Sequence, residues 1–595
     1  MRRPSIFLIL TPACLLWTAE KPAVPAWVER SNQNTRIVLQ SEAEFAPEFY
    51  ARQGVEGFDE KIVDLKPGVF ERTRAVERKI LAELEARLTK ESDPLVRQDL
   101  EILIKAEKDN IKGSLINEKY ELPYFNVART VFLGQRSLLD EQIPPERQQK
   151  ALVRLKRYAG QEAGYTPVTK LAEELTRSYM KKPGLLFPPK IQVEKDLADQ
   201  QFLTDGIGKL YEKYKVAGYE QAYAALKQQL ADYEKFIRAE ILPKARRDFR
   251  LPPEEYAFNL DQYGVDMPPT QLIQRAHSAF DDIQADMATL APLVAQQKEL
   301  AVTDYRDVIR ELKKQQISGS DILPRYENTL HSIEDIVRKQ RLVSLPARPA
   351  RIRLATDAES AVQPAPHMTP PRFIGNTGEQ GEFVLPMNKP GAAGSKDASD
   401  KYDDFAYDAA SWTLTAHEAR PGHELQFDSM VEHGVSEARA IYAFNSTNVE
   451  GWGLYSEAIT LPFMPPDGQL ISLQLRLLRA ARAFLDPELQ AGKVTPEQAK
   501  KVLTDDVMLS NAFADEEVER FTFRSPGQAT SYFYGYTKLM QLRADVEKLM
   551  AGRFDQQKFH DFILAQGLLP PDLQRKAVMQ DFVGAAATPV KAAQK

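Results

Sequence analysis

The chain of 595 residues contains a single cysteine, Cys14. This cysteine lies within an N-terminal segment that has the features of a secretory signal peptide. If the segment is removed, the mature protein has no thiol. That excludes disulfide bonds, thiolate catalysis and zinc sites built from cysteine.

An excess of basic residues and a long apolar run are also lacking. The net charge is −6, so no basic field attracts nucleic acid, and nucleic-acid partners are not expected. Beyond the N-terminus no segment is long and apolar enough to span a membrane. Apolar residues make up 43% and charged residues 27% of the chain, which is typical of a soluble globular protein.

The N-terminal segment predicts export. Arg2 and Arg3 precede an apolar run from Ile6 to Trp17 that is too short to span a bilayer. The run suits a signal peptide, which we assign to residues 1–26, and the protein is expected to be secreted or periplasmic. The alternatives are a buried N-terminal helix and lipid attachment at Cys14, which is preceded by a poor lipoprotein signal.

Helical periodicity dominates the rest of the chain and predicts a mainly α fold. Near the C-terminus, residues 495–498 (Thr-Pro-Glu-Gln) combine an N-cap, a proline at the first helical position and a capping-box glutamine. Two large helical regions, expected to form one catalytic unit, are 27–344 and 405–595. The clearest helical patterns within them are 69–115, 205–249, 270–314 and 529–549.

One segment interrupts the helical pattern. Residues 345–404 are rich in Pro, Gly, Ser and Ala, and contain two strand-like runs, Arg351 to Ala355 and Glu382 to Met387. An interdomain linker would have this composition. Two short strands just ahead of a candidate metal helix favour a small β-sheet beside a cleft.

Histidine is scarce, with seven in the chain, yet three lie within seventeen residues. Their centre is His417-Glu418-Ala419-Arg420-Pro421-Gly422-His423. Imidazole nitrogens suit zinc, and a glutamate beside the first ligand can take a proton from water.

The spacing of the two histidines departs from the usual HExxH pattern. There the histidines lie four residues apart and share a helix face, whereas here they lie six apart, about 120° away on an ideal helix. Pro421 and Gly422 cannot continue a regular helix, so a break there would swing His423 back toward His417. On a straight helix, Glu424 would share the face of His417 and is the alternative ligand.

A third ligand is expected from a neighbouring helix. The run from Val449 to Glu457 (VEGWGLYSE) supplies two carboxylates among small and aromatic residues. Glu450 is the predicted ligand. Glu457 is predicted to bind a ligand histidine without contacting the metal itself. The alternative is that these residues are solvated or part of an ordinary core.

HEARPGH, EGWGLYSE, the pair Glu519-Arg520 and SPGQATSY together resemble a bacterial family known as "domain of unknown function 885". The likeness extends over nearly the whole mature chain, from residue 46 onward. The family is regarded as metallopeptidase-like. Its motif order is similar to that of helical gluzincins, namely the carboxypeptidase Taq family, angiotensin-converting enzyme and thimet oligopeptidase.

The resemblance implies a large helical fold with a deep cleft and one zinc ion bound by His417, His423 and Glu450. Glu418 would be the general base. A strand edging the cleft, with Phe383 and Val384, would pair with the peptide backbone. In such enzymes a late tyrosine donates to the oxyanion.

Three tyrosines follow SPGQAT, and Tyr532 is the preferred oxyanion donor, with Tyr536 expected to contact substrate. Core packing is the alternative for at least one of the three. The relatives also use a histidine late in the chain, which has no counterpart here. Arg520 or Arg524 would supply the positive charge of that histidine instead. Either arginine could also anchor a peptide carboxylate.

The sequence therefore predicts a zinc metallopeptidase that hydrolyses short peptides, as an exopeptidase of carboxypeptidase or dipeptidase type. One alternative is a metal-dependent hydrolase of a non-peptide amide or ester. The other is an inactive helical peptide-binding protein, whose site the Pro-Gly insertion has destroyed. The oligomeric state is not predicted.

Overall fold

The computed structural model describes residues 25–317, 319–389 and 402–584. The chain is mainly helical, with a small three-stranded sheet, as the sequence predicts. The predicted signal peptide with Cys14, apart from its last two residues, and residues 390–401 of the Pro/Gly-rich segment lie outside the described residues.

The N-terminal region includes two long helices, α3 (Val69–Leu88) and α4 (Pro94–Tyr120). The helical pattern of residues 69–115 is divided between α3 and α4, because Asp93 caps a new helix and Pro94 occupies its first position. The helices of this region are α1 (Ala26–Glu42), α2 (Pro47–Gln53), α3 (Val69–Leu88), α4 (Pro94–Tyr120), α5 (Val127–Arg136), α6 (Pro145–Gln148), α7 (Lys150–Tyr158), α8 (Val168–Tyr179), α9 (Lys190–Tyr214) and α10 (Glu220–Phe236).

Most of the central helices, between residues 253 and 340, share an apolar core with the C-terminal helices, whereas the short helix Asp357–Val362 packs into the N-terminal core. Buried residues of α12, such as Phe280, share one apolar core with Phe484 and its neighbours on α19. The central helices are α11 (Pro253–Gln262), α12 (Pro269–Gln297), α13 (Tyr305–Lys313), α14 (Ile322–Gln340) and α15 (Asp357–Val362).

The C-terminal helices carry the candidate site. The capping box at Thr495 is present, and the predicted helix over 529–549 is α22. These helices are α16 (Asp408–Glu418), α17 (His423–His433), α18 (Ser446–Thr460), α19 (Pro466–Gln490), α20 (Pro496–Asp505), α21 (Asn511–Glu519), α22 (Thr530–Met550), α23 (Gln556–Ala565) and α24 (Pro571–Ala577).

Short π-helical and 3₁₀ turns extend or join several helices. One of them, the π turn Arg520–Arg524, continues α21 and leads to the loop before α22. The π turns are Ile237–Ile241, Ala438–Tyr442, Arg520–Arg524 and Val578–Val583, and the 3₁₀ turns are Leu242–Lys244, Gly319–Asp321, Leu461–Phe463 and Ala551–Arg553.

The sheet contains β1 (Arg351–Leu354), β2 (His367–Thr369) and β3 (Glu382–Leu385) in the order β1-β3-β2. β3 is parallel to β1 and antiparallel to β2, with Phe383 opposite Ile352 on one side and Met368 on the other. The expectation that Phe383 and Val384 pair with a peptide is wrong, because both are buried and their backbone is already paired on both sides.

Several apolar cores hold the helices together. A core formed mainly by α5, α7, α8, α9 and α10 stabilises the N-terminal group, and Ala358 and Ala361 of α15 join it. A second core unites the central helices with α16, α19 and α21. Among the residues that the structure describes, no helix combines the length and apolar character needed to cross a bilayer.

Candidate metal centre

The segment between His417 and His423 is a break between two helices. α16 ends at Glu418 and α17 begins at His423. Gly422 is required in this break, because a Cβ there would lie 1.8 Å from the carbonyl oxygen of His417. The imidazole rings of His417 and His423 consequently meet edge to face, with centroids 4.6 Å apart. The structure thus has the bend that the Pro-Gly pair predicts.

Glu450 of α18 completes a cluster of three donor atoms. Its Oε2 lies 3.4 Å from Nε2 of His417 and 3.5 Å from Nε2 of His423. Tetrahedral zinc with bonds of about 2.0–2.1 Å holds its ligand atoms roughly 3.4 Å apart. Among the residues described, this is the group of histidines and acids whose donor atoms lie close enough to hold a metal ion. The residues and their spacing fit zinc.

The environment of the cluster favours a cation. Burial alone would lower the pKa of His417, but the neighbouring carboxylates of Glu450 and Glu457 raise it to about 9. Burial would raise the pKa of Glu450, yet the two histidines hold it well below its usual value. His417 is only 2% exposed, so these charges act at low dielectric and attract a positive ion.

Glu457 lies behind His417, as the sequence predicts. Its Oε1 is 2.7 Å from Nδ1 of His417, and its Oε2 accepts a hydrogen bond from the Thr413 hydroxyl at 2.8 Å. Arg479 lies 3.6 Å from the same carboxylate. A carboxylate in this place fixes the imidazole with its proton on Nδ1, which leaves Nε2 free to bind metal.

Two glycines of EGWG explain why α18 approaches so closely. A Cβ at Gly453 would lie 2.5 Å from Cε1 of His417, so only glycine leaves room for the ring. A Cβ at Gly451 would lie 2.7 Å from the backbone of Gly535 on α22. These roles were not identified from the sequence, although two glycines between the carboxylates Glu450 and Glu457 were a signal.

The two carboxylate oxygens of Glu450 have different surroundings. Oε1 is 3.5 Å from the side-chain amide of Gln528, whereas Oε2 is buried without a hydrogen-bond partner. Gln528 also accepts a hydrogen bond from Arg520 at 3.1 Å. Gln528 was missed as a site residue, although it belongs to the SPGQ motif. An unpartnered buried carboxylate oxygen facing two imidazoles is the atom that a metal would satisfy.

Glu418 and Tyr532 flank the cluster. Oε1 of Glu418 is 4.0 Å from Nε2 of His417, and burial raises the pKa of Glu418 although the two histidines oppose the shift. The Tyr532 ring is stacked parallel to His417 at 6.4 Å, and its hydroxyl accepts a hydrogen bond from Arg520 at 3.3 Å. Because Arg520 supplies that proton, the tyrosine's own proton remains available to donate.

Two arginines of α19, Arg479 and Arg482, lie next to the Tyr532 ring. The Arg482 guanidinium lies 4.5 Å from the centre of the Tyr532 ring and forms two hydrogen bonds of 2.6 Å with Glu517. Arg479 lies 5.9 Å from the same ring centre, so both guanidinium groups make cation–π contacts that hold the Tyr532 ring in place. Neither arginine was predicted from the sequence, because nothing in α19 marks the face that meets α22.

Three predicted residues lie apart from the cluster. Glu424 is wrong as an alternative ligand, because its carboxylate is fully buried in ion pairs with Arg420 and Arg348. The Arg524 guanidinium is already paired with Glu519 at 2.8 Å. Tyr536 lies one helical turn beyond Tyr532, where its ring stacks with Arg476. The third tyrosine, Tyr534, donates a hydrogen bond to Asp266.

Comparisons with known proteins support the fold but supply no activity. Residues 47–578 match the family described as "Bacterial protein of unknown function (DUF885)". A protein from Shewanella oneidensis, provisionally described as a lipoprotein of unknown function, has a similar structure: the TM-score is 0.69 at 17% identity, covering 93% of this chain and 100% of that one. A second such structure, provisionally described as a lipoprotein from Colwellia psychrerythraea, gives 0.73 at 18% identity, covering 93% and 99%. No curated protein matches the sequence.

Proposed function

We propose that the chain, which belongs to the bacterial DUF885 family, is a zinc-dependent metallopeptidase that hydrolyses short peptides. The observation that carries the proposal is the convergence of His417, His423 and Glu450, with donor separations of 3.4 and 3.5 Å to Glu450. The gluzincin relationship inferred from motif order is part of this proposal.

The donor set matches that of a catalytic rather than a structural zinc site. Two imidazoles and one carboxylate leave the fourth tetrahedral position open. Zinc, when bound, supplies Lewis acidity and makes hydroxide available near neutral pH. Glu457 would hold His417 in the ligating tautomer, and Gln528 would orient the Glu450 carboxylate.

Glu418 and Tyr532 would carry the proton transfer and the charge stabilisation. A Glu418 oxygen would take a proton from the water that attacks the peptide carbonyl, and would then give it to the leaving nitrogen. The Tyr532 hydroxyl would donate a hydrogen bond to the carbonyl oxygen as negative charge develops there. Arg520 acts on the substrate through Tyr532, because it donates to that hydroxyl and to Gln528.

The burial of the site supports a preference for short substrates. His417, His423 and Glu418 are all buried, so a segment of a folded protein would not reach them. Exopeptidase action of the carboxypeptidase or dipeptidase type is the mode we propose. Of the two predicted carboxylate anchors we favour Arg520, because it contacts the Tyr532 hydroxyl, whereas Arg524 is paired with Glu519.

We also propose that the enzyme works outside the cytoplasm. The signal-peptide features of residues 1–26 support secretion or a periplasmic location. The description of both structural neighbours as lipoproteins favours lipid attachment at Cys14 more than the sequence alone does. Metabolic labelling with a palmitate analogue, for wild type and Cys14→Ser, distinguishes an anchored protein from a free one.

A peptide-hydrolysis assay tests the proposed function. Wild-type protein is expected to cleave a panel of di- to hexapeptides, whereas Glu418→Gln should retain the metal and lose nearly all hydrolysis. A matched panel of esters and non-peptide amides tests the other hydrolase classes. Cleavage of those compounds alone would replace the peptidase proposal, and metal-independent peptide binding without turnover would replace it with a binding function.

A further inference from the structure

The two histidines of the candidate metal centre are held in different ways. Nδ1 of His417 lies 2.7 Å from Oε1 of Glu457, and this contact orients the ring. Nδ1 of His423 is buried and, among the residues that the structure describes, has no hydrogen-bond partner. Since no such bond orients the His423 ring, its direction depends on its packing and on the position at which α17 begins.

Helix α18 fixes the chain just before His423. The indole N–H of Trp452 donates a hydrogen bond to the carbonyl oxygen of Pro421 at 3.0 Å, and the Ser456 hydroxyl donates to the same oxygen at 3.2 Å. These two contacts anchor the break between α16 and α17 on the N-terminal side of the histidine.

Glu424, directly after His423, is anchored from the other side by two arginines. The carboxylate of Glu424 is fully buried. It accepts hydrogen bonds from Nε of Arg420 at 2.8 Å and from Nη2 of Arg420 at 3.2 Å, and a further one from Arg348. Arg420 in turn donates to Glu334 of α14 at 2.5 Å and to the carbonyl oxygen of Arg348 at 3.0 Å. We refer to Arg348, Arg420 and Glu424 as the arginine clamp.

Arg348 attaches the Pro/Gly-rich segment to α17. Its Nη2 lies 2.7 Å from Oδ2 of Asp428, one helical turn beyond Glu424. The backbone N–H of Gly381, the residue before β3, donates to Oδ1 of Asp428 at 3.1 Å. A third contact of Arg348, with Glu432 at 2.5 Å, lies at the exposed end of this row, where an ion pair contributes little. The segment that was expected to bind substrate thus contacts the helix that begins at His423.

We propose that Arg348 and Arg420 are positioning residues for the zinc ligand His423, and that the Pro/Gly-rich segment fixes the start of α17 through them. The proposal rests on the zinc site of the proposed function and assigns the residues that hold its second histidine. Removing one guanidinium leaves the buried carboxylate of Glu424 without full compensation, so the first turn of α17 must rearrange. His423 moves with that turn, and a metal site tolerates displacements of only about 0.5 Å.

The zinc affinity of Arg348→Gln in the full chain, measured by competition with a chromophoric chelator, tests the proposal. The affinity is expected to fall about 10–100-fold, as it does when other groups that orient a ligand are lost. Arg348→Lys should retain part of it, because a positive charge remains without the planar fork of the guanidinium.

Arg147→Gln is the matched control. The side chain of Arg147 is 14% exposed, against 19% for Arg348, and it forms an ion pair with Asp59 at 2.7 Å. It lies on α6 of the N-terminal region, so its loss removes a comparable ion pair but no contact with α17. The zinc affinity of this variant is expected to equal that of wild type.

Cobalt in place of zinc reports on the geometry of the site, which a loss of overall stability alone would not change. The visible absorption of bound cobalt depends on its coordination geometry. At saturating cobalt, Arg348→Gln is expected to have an altered spectrum, and Arg147→Gln the wild-type one. Arg420→Lys is a second, independent test, because lysine cannot reproduce the two-nitrogen contact with Glu424, and it should change the spectrum in the same direction.

Wild-type zinc affinity and a wild-type cobalt spectrum in natively folded Arg348→Gln and Arg420→Lys overturn the proposal. An equal loss of affinity in Arg147→Gln also overturns it, since the effect would then not belong to the arginine clamp. Hydrolysis of peptides is measured separately. Zinc binding that depends on Arg348 without any cleavage removes only the peptidase function, whereas cleavage by a site that is indifferent to Arg348 removes only the positioning role.

Discussion

The Nδ1 atom of His417 lies 2.7 Å from Oε1 of Glu457, a residue forty positions further along the chain. The contact joins α16 to α18 and is completely buried. It gives the imidazole one orientation and directs its Nε2 toward Glu450 and His423. The pair therefore prepares a metal-ligand nitrogen before any ion arrives.

The first prediction concerns this carboxylate. Glu457→Gln keeps the size of the side chain but weakens the acceptor that holds His417. Zinc affinity, measured by competition with a chromophoric chelator, is expected to fall about 10–100-fold. Glu432→Gln, a glutamate exposed on α17, is the control. Unchanged affinity in Glu457→Gln would mean that the contact does not prepare the ligand.

The second prediction concerns the close approach of α18. Gly453→Ala would place a Cβ 2.5 Å from the His417 ring, so the ring must move or the helices must separate. We expect a loss of zinc binding and a loss of about 1–3 kcal/mol in the free energy of unfolding, measured by denaturant titration. Gly552→Ala is the matched control, because an added Cβ meets nothing there. Equal zinc affinity in both variants would contradict the close contact.

The third prediction separates the tyrosines of α22. Tyr532→Phe removes the hydroxyl beside the cluster, and kcat is expected to fall about 10²–10³-fold while zinc remains bound. Tyr534→Phe removes a hydroxyl whose partner is Asp266, on the other side of the helix, and should leave kcat within a few-fold. Similar kcat values for the two variants would remove Tyr532 from the mechanism.

The fourth prediction concerns pH and is independent of the metal. Burial lowers the pKa of His560 to about 4, whereas an unfolded histidine has a value near 6.5. Its ring nitrogens lie 2.6 Å from the Tyr455 hydroxyl and from the Leu342 carbonyl oxygen. Because the folded pKa is depressed, the folded state favours the neutral ring. Stability is therefore full above pH 6.5 and is lost as the pH falls toward 4.

Urea denaturation between pH 7 and 4.5 measures this effect. For a shift of this size the loss approaches roughly 3 kcal/mol at the acid limit. His367 has a similarly lowered pKa and contributes in the same window, so His560→Gln is expected to reduce the pH dependence without abolishing it. An identical pH dependence in wild type and variant would show that His560 does not titrate in this range on unfolding.

The fold was predictable where a pattern is local. Periodicity predicts most of the helices, and the capping box at Thr495 and the helix beginning at Thr530 are confirmed. The break between α3 and α4 was not predicted, because the apolar spacing continues through it while Asp93 and Pro94 start a new helix. β2 has only three residues, which is too short to give an alternating pattern.

The candidate metal cluster was predictable from two short motifs, which lie on the three helices α16, α17 and α18. His417, Glu418, His423, Glu450 and Glu457 lie in short motifs whose spacing carries their geometry. Three further residues reach the site only because α19 packs against α22, and residue spacing does not encode that packing. They are Arg479 and Arg482 of α19 and Gln528 in the loop before α22. The order of strands in the sheet is also set by tertiary contacts, and for that reason the role expected of Phe383 and Val384 was wrong.

Metal content shows directly whether His417, His423 and Glu450 bind zinc. Elemental analysis of protein purified without chelator should give close to one zinc per chain for wild type and a loss of zinc in His423→Ala. His433→Ala, which removes a histidine at the far end of α17, should keep the metal. Absence of zinc in wild type, with none taken up from added zinc, would contradict a zinc site at His417, His423 and Glu450. Full retention in His423→Ala would also contradict it.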